Sequence, residues 1–144
     1  MECRIQEYSY SESEKETLSA LYYDILREEF HWVDPSGISL EGFQNSTDGE
    51  AVYVAYWEGE AAGFVSVWEP DRFIHNLFVA KRHRNRGVGK KLLEKVFERY
   101  EKPITLKCVK ENKNALEFYL NHGWRISREE MGPEGAYYWM EYSR

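Results

Sequence analysis

Phe73-Ile74-His75-Asn76-Leu77-Phe78-Val79, followed closely by Arg84-Asn85-Arg86-Gly87-Val88-Gly89-Lys90, is the stretch that decides the fold. The first seven residues alternate in the manner of a strand over 72–79. From 87 to 100, Val88, Leu92, Leu93, Val96 and Phe97 recur at helical spacing and share one face. A strand thus enters a glycine-containing turn from which an amphipathic helix starts at once. The first amides of such a helix lack intrahelical partners and carry the positive end of its dipole. Gly87 and Gly89 let an anion approach that backbone, while Arg84, Arg86 and Lys90 add charge-assisted contacts. The pattern predicts a pyrophosphate site. The same residues also read as a plain strand–helix connection with glycines kept for tight packing. The nucleotide pattern GxxxxGK[ST] does not fit, because no glycine lies five before Gly89 and Lys90 precedes Lys91. The dinucleotide pattern GxGxxG fails too, at Val88 and Lys90-Lys91-Leu92.

Charge gives the turn more weight. The chain of 144 residues has a net charge of −6, yet Lys81, Arg82, Arg84, Arg86, Lys90 and Lys91 form a basic knot free of acids. Without those six charges the remainder stands at −12. Such a distribution suits a small anionic ligand at the knot, a solvated helix face being the plainer reading. It argues against a general nucleic-acid binder, for which affinity for the knot would vanish with salt.

Hydrophobic residues at 42% and charged residues at 31% fit one globular domain over 1–144, and no linker or repeat divides it. No apolar run approaches a membrane span, and the N-terminus carries no signal pattern. Cys3 and Cys108 form no CxxC motif and no metal-ligand spacing. A cytoplasmic, reducing setting without a metal is therefore expected. Cys108, in an apolar run, reads as a buried small hydrophobe rather than a nucleophile.

Along the chain, strands are expected at 3–8, 51–57, 61–68, 72–79, 104–109, 124–130 and 136–142. Helices are expected at 13–29, capped by Ser11 or Ser13, and at 38–45, 87–100 and 112–122. Glu58-Gly59-Glu60 signals a hairpin, and Gly123 a helix C-cap. The order predicts a mixed α/β (α+β) domain with a largely antiparallel sheet of six to seven strands and about four helices.

Arg84-x-x-Gly87-x-Gly89, after the strand ending in Val79, resembles the acetyl-CoA motif of the GCN5-related N-acetyltransferase (GNAT) superfamily. Asn112-x-x-Ala115-x-x-Phe118-Tyr119-x-x-x-Gly123-Trp124 resembles that family's next helix and the strand after it. The likeness is close over 51–126 and looser elsewhere, and small bacterial single-domain members are the most similar type. It implies a sheet splayed between the strands at 72–79 and 104–109, with the pantetheine arm of acetyl-CoA in the gap. Backbone contacts would come from Leu77, Phe78 and Val79, with an exposed N–H near Leu77 or Phe78 polarising the thioester carbonyl. The pyrophosphate would sit on amides from Arg84 or Asn85 through Arg86, Gly87, Val88, Gly89 and Lys90. Asn112, Ala115 and Phe118 would line the cofactor arm.

The resemblance further implies acetyl transfer to a primary amine, a small amine, a peptide N-terminus or a lysine, without an acyl-enzyme. Tyr119 aligns with the family's general acid for the departing thiolate, while a core tyrosine is the plainer reading. No Asp or Glu occurs from Phe73 to Val79, so that strand supplies no carboxylate base. His75 is the candidate base, with Glu69, Asp71 or a water chain as alternatives. Strict alternation sets Phe73, His75, Leu77 and Val79 on one face. Phe30-His31-Trp32 and Tyr137-Tyr138-Trp139 are candidate acceptor walls, with Phe30, Trp32 and Tyr138 singled out; core packing would use such aromatics equally well. A non-catalytic CoA-binding sensor or partner module on the same fold is the competing function. The expected assembly is a monomer or homodimer, with no nucleic acid and no membrane as partner.

Overall fold

The computed structural model describes residues 2–143. Its elements run β1 (Cys3–Glu7), α1 (Glu12–Glu29), α2 (Gly42–Thr47), β2 (Ala51–Trp57), β3 (Glu60–Trp68), β4 (Phe73–Val79), α3 (Val88–Arg99), β5 (Ile104–Val109), α4 (Lys113–Asn121), β6 (Arg125–Gly132) and β7 (Gly135–Tyr142). The mixed α/β class and the largely antiparallel sheet are as expected, with seven strands in the order β1-β2-β3-β4-β5-β7-β6. The expected helix at 38–45 is displaced. Asp34 caps a single 3-10 turn over Pro35–Gly37, and α2 starts only at Gly42.

Local chemistry explains the joints. Ser11 caps α1 by accepting from the Glu14 amide. Glu58 and Gly59 both take positive φ, 48° and 86°, the backbone of a tight hairpin turn between β2 and β3. Gly123 (φ 91°) ends the segment after α4 in the left-handed conformation.

Two cores sandwich the sheet. On one face α3 and α4 bury Val88, Leu92, Leu93, Val96 and Tyr119 against Tyr53, Val65, Ile74, Leu106, Cys108 and Met140. On the other, α1 and α2 bury Leu18, Ile25 and Phe43 against Val54, Phe64 and Phe78. Each large side chain removed from water contributes about 2 kcal/mol, so both layers are strongly held.

The parallel pairing of β4 with β5 positions the site. β4 and β5 pair only at Phe73↔Thr105 and Ile74↔Leu106, and beyond those residues they separate. β4 is bulged: Ser66 pairs with Asn76 and Val67 with Ile74, leaving His75 without a partner on β3. This corrects the strict alternation expected for the strand. Ile74, Leu77 and Val79 face the α3–α4 core, whereas Phe78 faces α1. One extra residue exchanges the two faces, so His75 does not share a face with Leu77 in the simple way the sequence suggests.

Candidate active site

The mouth of the gap is the turn from β4 to α3. Asn85 (φ 64°) and Gly87 (φ 78°) bend the chain so that successive amides converge. Among the described residues, none of the amides from Asn85 to Lys90 has a backbone partner; the Arg84 amide bonds to Lys81 O and the Lys91 amide to Gly87 O. A Cβ placed on Gly87 would stand in open space. Gly89 serves packing as well: its Cβ would lie 3.0 Å from Phe118 Cζ, so the glycine brings α3 against α4. Gly89 thus follows the packing reading of this turn, while Gly87 leaves the space over the amides open.

The basic side chains divide in their roles. Arg84 is held by Glu29 at the end of α1 and by the carbonyl of Val79. Arg86 lies 4.9 Å over the Trp57 ring and donates to Nδ1 of the buried His83 at 3.2 Å. A guanidinium only donates, so Nδ1 accepts, and His83 gives its Nε2 proton to Glu60 Oε1 at 2.5 Å. Arg82 also pairs with Glu60. Lys90 is exposed and takes no part in these pairs, which leaves its ammonium available to an anion.

Deeper in the gap, the amide directions follow from the register. Ala80 N donates to Ala62 O across β3. Alternation then turns the Phe78 amide toward β3 as well, and the amides of Leu77 and Val79 toward the open side facing β5. Of the two residues considered for polarising a carbonyl, Leu77 has the suitable direction. Asn112 caps α4, its Oδ1 accepting from Ala115 N at 3.3 Å, which leaves the Nδ2 donors to point elsewhere. Ala115 and Phe118 pack at the edge of the α3–α4 core beside Val79.

Tyr119 is 8% exposed, edge-on to Trp124 at 5.6 Å, and its hydroxyl has no hydrogen-bond partner among the described residues. Burial, with a smaller contribution from Cys108, holds its phenol above the ordinary range. Burial pushes the Cys108 thiol up to about 11, which keeps it protonated and poorly nucleophilic.

The opposite mouth of the gap opens on the α1–α2 face. His75 Nδ1 lies 2.7 Å from Glu50 Oε2, and its ring stacks on Phe73 at 6.2 Å. Phe30 meets Phe78 at 5.3 Å and stacks on Trp32 at 4.7 Å. Phe73, Tyr137 and Trp139 surround the Lys107 ammonium, which is 4.8 Å from the Trp139 centroid. Tyr138 is elsewhere. It packs with the α3–α4 core, because β7 alternates and only its odd-numbered aromatics share the Lys107 side. Glu50 escaped the sequence reading altogether, since no spacing rule links it to His75 before the strand register is known. Among the described residues no cluster of three or more His, Cys, Asp or Glu is placed to hold a metal, and no helix is long and apolar enough to cross a membrane.

Comparison with known proteins agrees with this geometry. The model of the acetyltransferase (GNAT) family matches residues 19–124. A 5-NmdU N-acetyltransferase of Pseudomonas phage PaMx11 is 33% identical over 89 residues, 58% of this chain and 64% of that protein. The peptidyl-lysine N-acetyltransferase YiaC of Escherichia coli is 38% identical over 72 residues, 49% of this chain and 48% of its own length. The chain therefore spans less than two thirds of either relative. The solution structure of apo YjaB from Escherichia coli superimposes with a TM-score of 0.80 over 99% of this chain and 98% of that one, at 17% identity. On the match of its family model, its fold and its splayed β4–β5 gap, this chain belongs to the GNAT acetyltransferase family.

Proposed function

We propose that the chain transfers the acetyl group of acetyl-CoA directly to a primary amine. The observation that carries this reading is the gap itself: unpaired amides at Asn85–Lys90 above one mouth, strand edges of β4 and β5 along its length, and Tyr119 beside it. A pyrophosphate suits the first, since Gly87 presents no side chain and Lys90 supplies an exposed cation. An extended pantetheine arm suits the second, where amide and carbonyl groups lack strand partners. Asn112 Nδ2 adds a donor near the arm, and Ala115 and Phe118 give it an apolar wall.

The chemistry needs an unprotonated amine, a polarised carbonyl and a proton for the leaving thiolate. His75 takes the amine proton as the nitrogen attacks the thioester carbon. The Leu77 amide stabilises the charge that develops on the carbonyl oxygen. The new C–N bond forms, the C–S bond breaks, and Tyr119 protonates the sulfur. Cys108, kept as a thiol, has no part as an acyl carrier. Phe30 and Trp32 stand on the acceptor side with Phe73, Tyr137 and Trp139. The two relatives are named for N-acetyl transfer to 5-NmdU and to a peptidyl lysine.

Calorimetry with acetyl-CoA tests the donor half, and free-thiol release across a panel of lysyl peptides, N-terminal peptides, polyamines and other small amines tests the acceptor half. Absence of donor binding at millimolar concentration overturns the proposal. Binding of CoA with no thiol release on any amine assigns the chain instead to the non-catalytic module.

A further inference from the structure

We infer that Glu50 is a positioning residue for His75, holding one imidazole tautomer so that Nε2 is the basic atom offered to the acceptor amine. The inference rests on the reading of His75 as the base and extends it to a carboxylate outside β4.

Three observations carry it. First, His75 is the extra residue of the β4 bulge, which turns its side chain away from the regular pleat and leaves it 44% exposed at the start of the splay. Second, the Glu50 side chain is only 8% exposed; Oε2 meets His75 Nδ1 at 2.7 Å, and Oε1 is buried without any partner among the described residues. A buried carboxylate with one hydrogen bond is a poor device for stability, because a single donor does not compensate for lost hydration. It is well suited to stabilising a positive charge that appears on the imidazole during reaction. Third, the segment that carries Glu50 is fixed to the bulge at a second point. Asn76 Nδ2, buried, donates to Ser46 Oγ at 3.0 Å and to Ser66 Oγ at 2.9 Å. The Glu50 amide closes the turn by donating to Thr47 O at 2.9 Å. The carboxylate is thereby held relative to the strand that carries the base.

The proton inventory then follows. An ionised carboxylate only accepts, so Nδ1 carries the ring proton and Nε2 keeps its lone pair. When the amine attacks, Nε2 gains the proton and the imidazolium is charge-paired with Glu50. The Phe73 ring lies beside the imidazole, 6.2 Å between centroids. No atom of Glu50 touches the substrate in this scheme.

The test begins with nitrogen-15 NMR of the full chain, where the His75 ring is assigned by its loss in His75→Asn. The expected wild-type signature is a protonated Nδ1 and a free Nε2, changing toward protonated Nε2 in Glu50→Ala. The opposite wild-type tautomer overturns the inference. Kinetics follow with Glu50→Gln, which keeps the shape and the acceptor oxygen but removes the charge. Turnover on an accepted amine is expected to fall on the order of ten- to a hundred-fold, with the acetyl-CoA dissociation constant unchanged, and Glu50→Asp is expected to recover part of the loss. Full turnover in Glu50→Gln, or a loss that tracks a lowered melting temperature in both variants, overturns the positioning role. A wild type that binds no acetyl-CoA overturns the proposed function instead, and the tautomer measurement then decides the Glu50–His75 pairing by itself.

Discussion

Arg84 and Glu29 form a clasp between the donor turn and the acceptor side. Both terminal guanidinium nitrogens meet the carboxylate, Nη2 at 2.8 Å, while Nε and Nη2 hold the Val79 carbonyl at 3.3 and 3.2 Å. The planar fork fits this double role, and lysine would not. The clasp fixes the end of α1, from which Phe30 and Trp32 follow.

Arg84→Ala is therefore expected to act first on structure. A partly exposed pair of this kind is worth about 1 kcal/mol, with faster hydrogen exchange around residues 28–32 as its local sign. Acetyl-CoA affinity should stay within about two-fold, whereas Lys90→Ala, which removes the free cation beside the helix N-terminus, should cost about 1 kcal/mol of binding. A larger affinity loss in Arg84→Ala than in Lys90→Ala, measured by calorimetry, would mean that the guanidinium leaves Glu29 for the phosphate.

Gly87 and Gly89 should respond differently to alanine. Gly87→Ala places a side chain at φ 78°, costing about 1 kcal/mol of stability, and fills the open space over the amides. Loss of acetyl-CoA affinity should accompany it. In Gly89→Ala the new methyl lies 3.0 Å from Phe118 Cζ, so the Phe118 ring must give by a few tenths of an ångström against α3. Its signature is a lowered melting temperature with a smaller affinity loss than that of Gly87→Ala. Equal affinity losses with unchanged melting would contradict this division.

The strand–turn–helix at 73–99 and the helix from Asn112 were legible because each is specified locally: apolar period, breaker and cap all lie within a few residues. His75 shows where local reading stops. Its bulge depends on which residues of β3 it faces, and no property of Phe73–Val79 alone announces one extra residue. The same limit applies to Arg84. Its charge suggested a phosphate ligand, but a carboxylate far back in the chain at Glu29 meets it first. Tyr138 sits between two aromatic neighbours in sequence, but β7 alternation sends it to the α4 side. Glu50 lies 25 positions from His75 and becomes visible only in three dimensions.

Glu14 makes stability depend on acid pH. Burial raises its carboxyl pKa, but hydrogen bonds from Tyr56 Oη, Ser9 N and Ser9 Oγ together outweigh that and hold it below its ordinary 4.5. A depressed folded value means the contribution is complete above the unfolded value and is lost as pH falls through the folded one. Chemical denaturation between neutral pH and acid should show wild-type stability falling below about pH 4.5 more steeply than that of Glu14→Gln. At neutral pH, Glu14→Gln should cost about 2 kcal/mol, since the carboxylate accepts from three donors that would be left under-satisfied. Parallel acid profiles for the two proteins would assign the pH sensitivity elsewhere.

Tyr119→Phe separates chemistry from packing. The hydroxyl has no partner among the described residues and the ring fills the α3–α4 core, so phenylalanine keeps the packing. Melting temperature should hold. Turnover should nevertheless fall about a hundred-fold, because the thiolate must leave without its proton donor. Burial raises the phenol's pKa, so the acid form persists well past neutrality, and Tyr119 should cause no alkaline decline in turnover up to about pH 10. A rate profile followed by thiol release, wild type beside Tyr119→Phe, checks all three outcomes. Unchanged turnover in the variant would leave Tyr119 a core residue and move the acid to water or to another group along the gap.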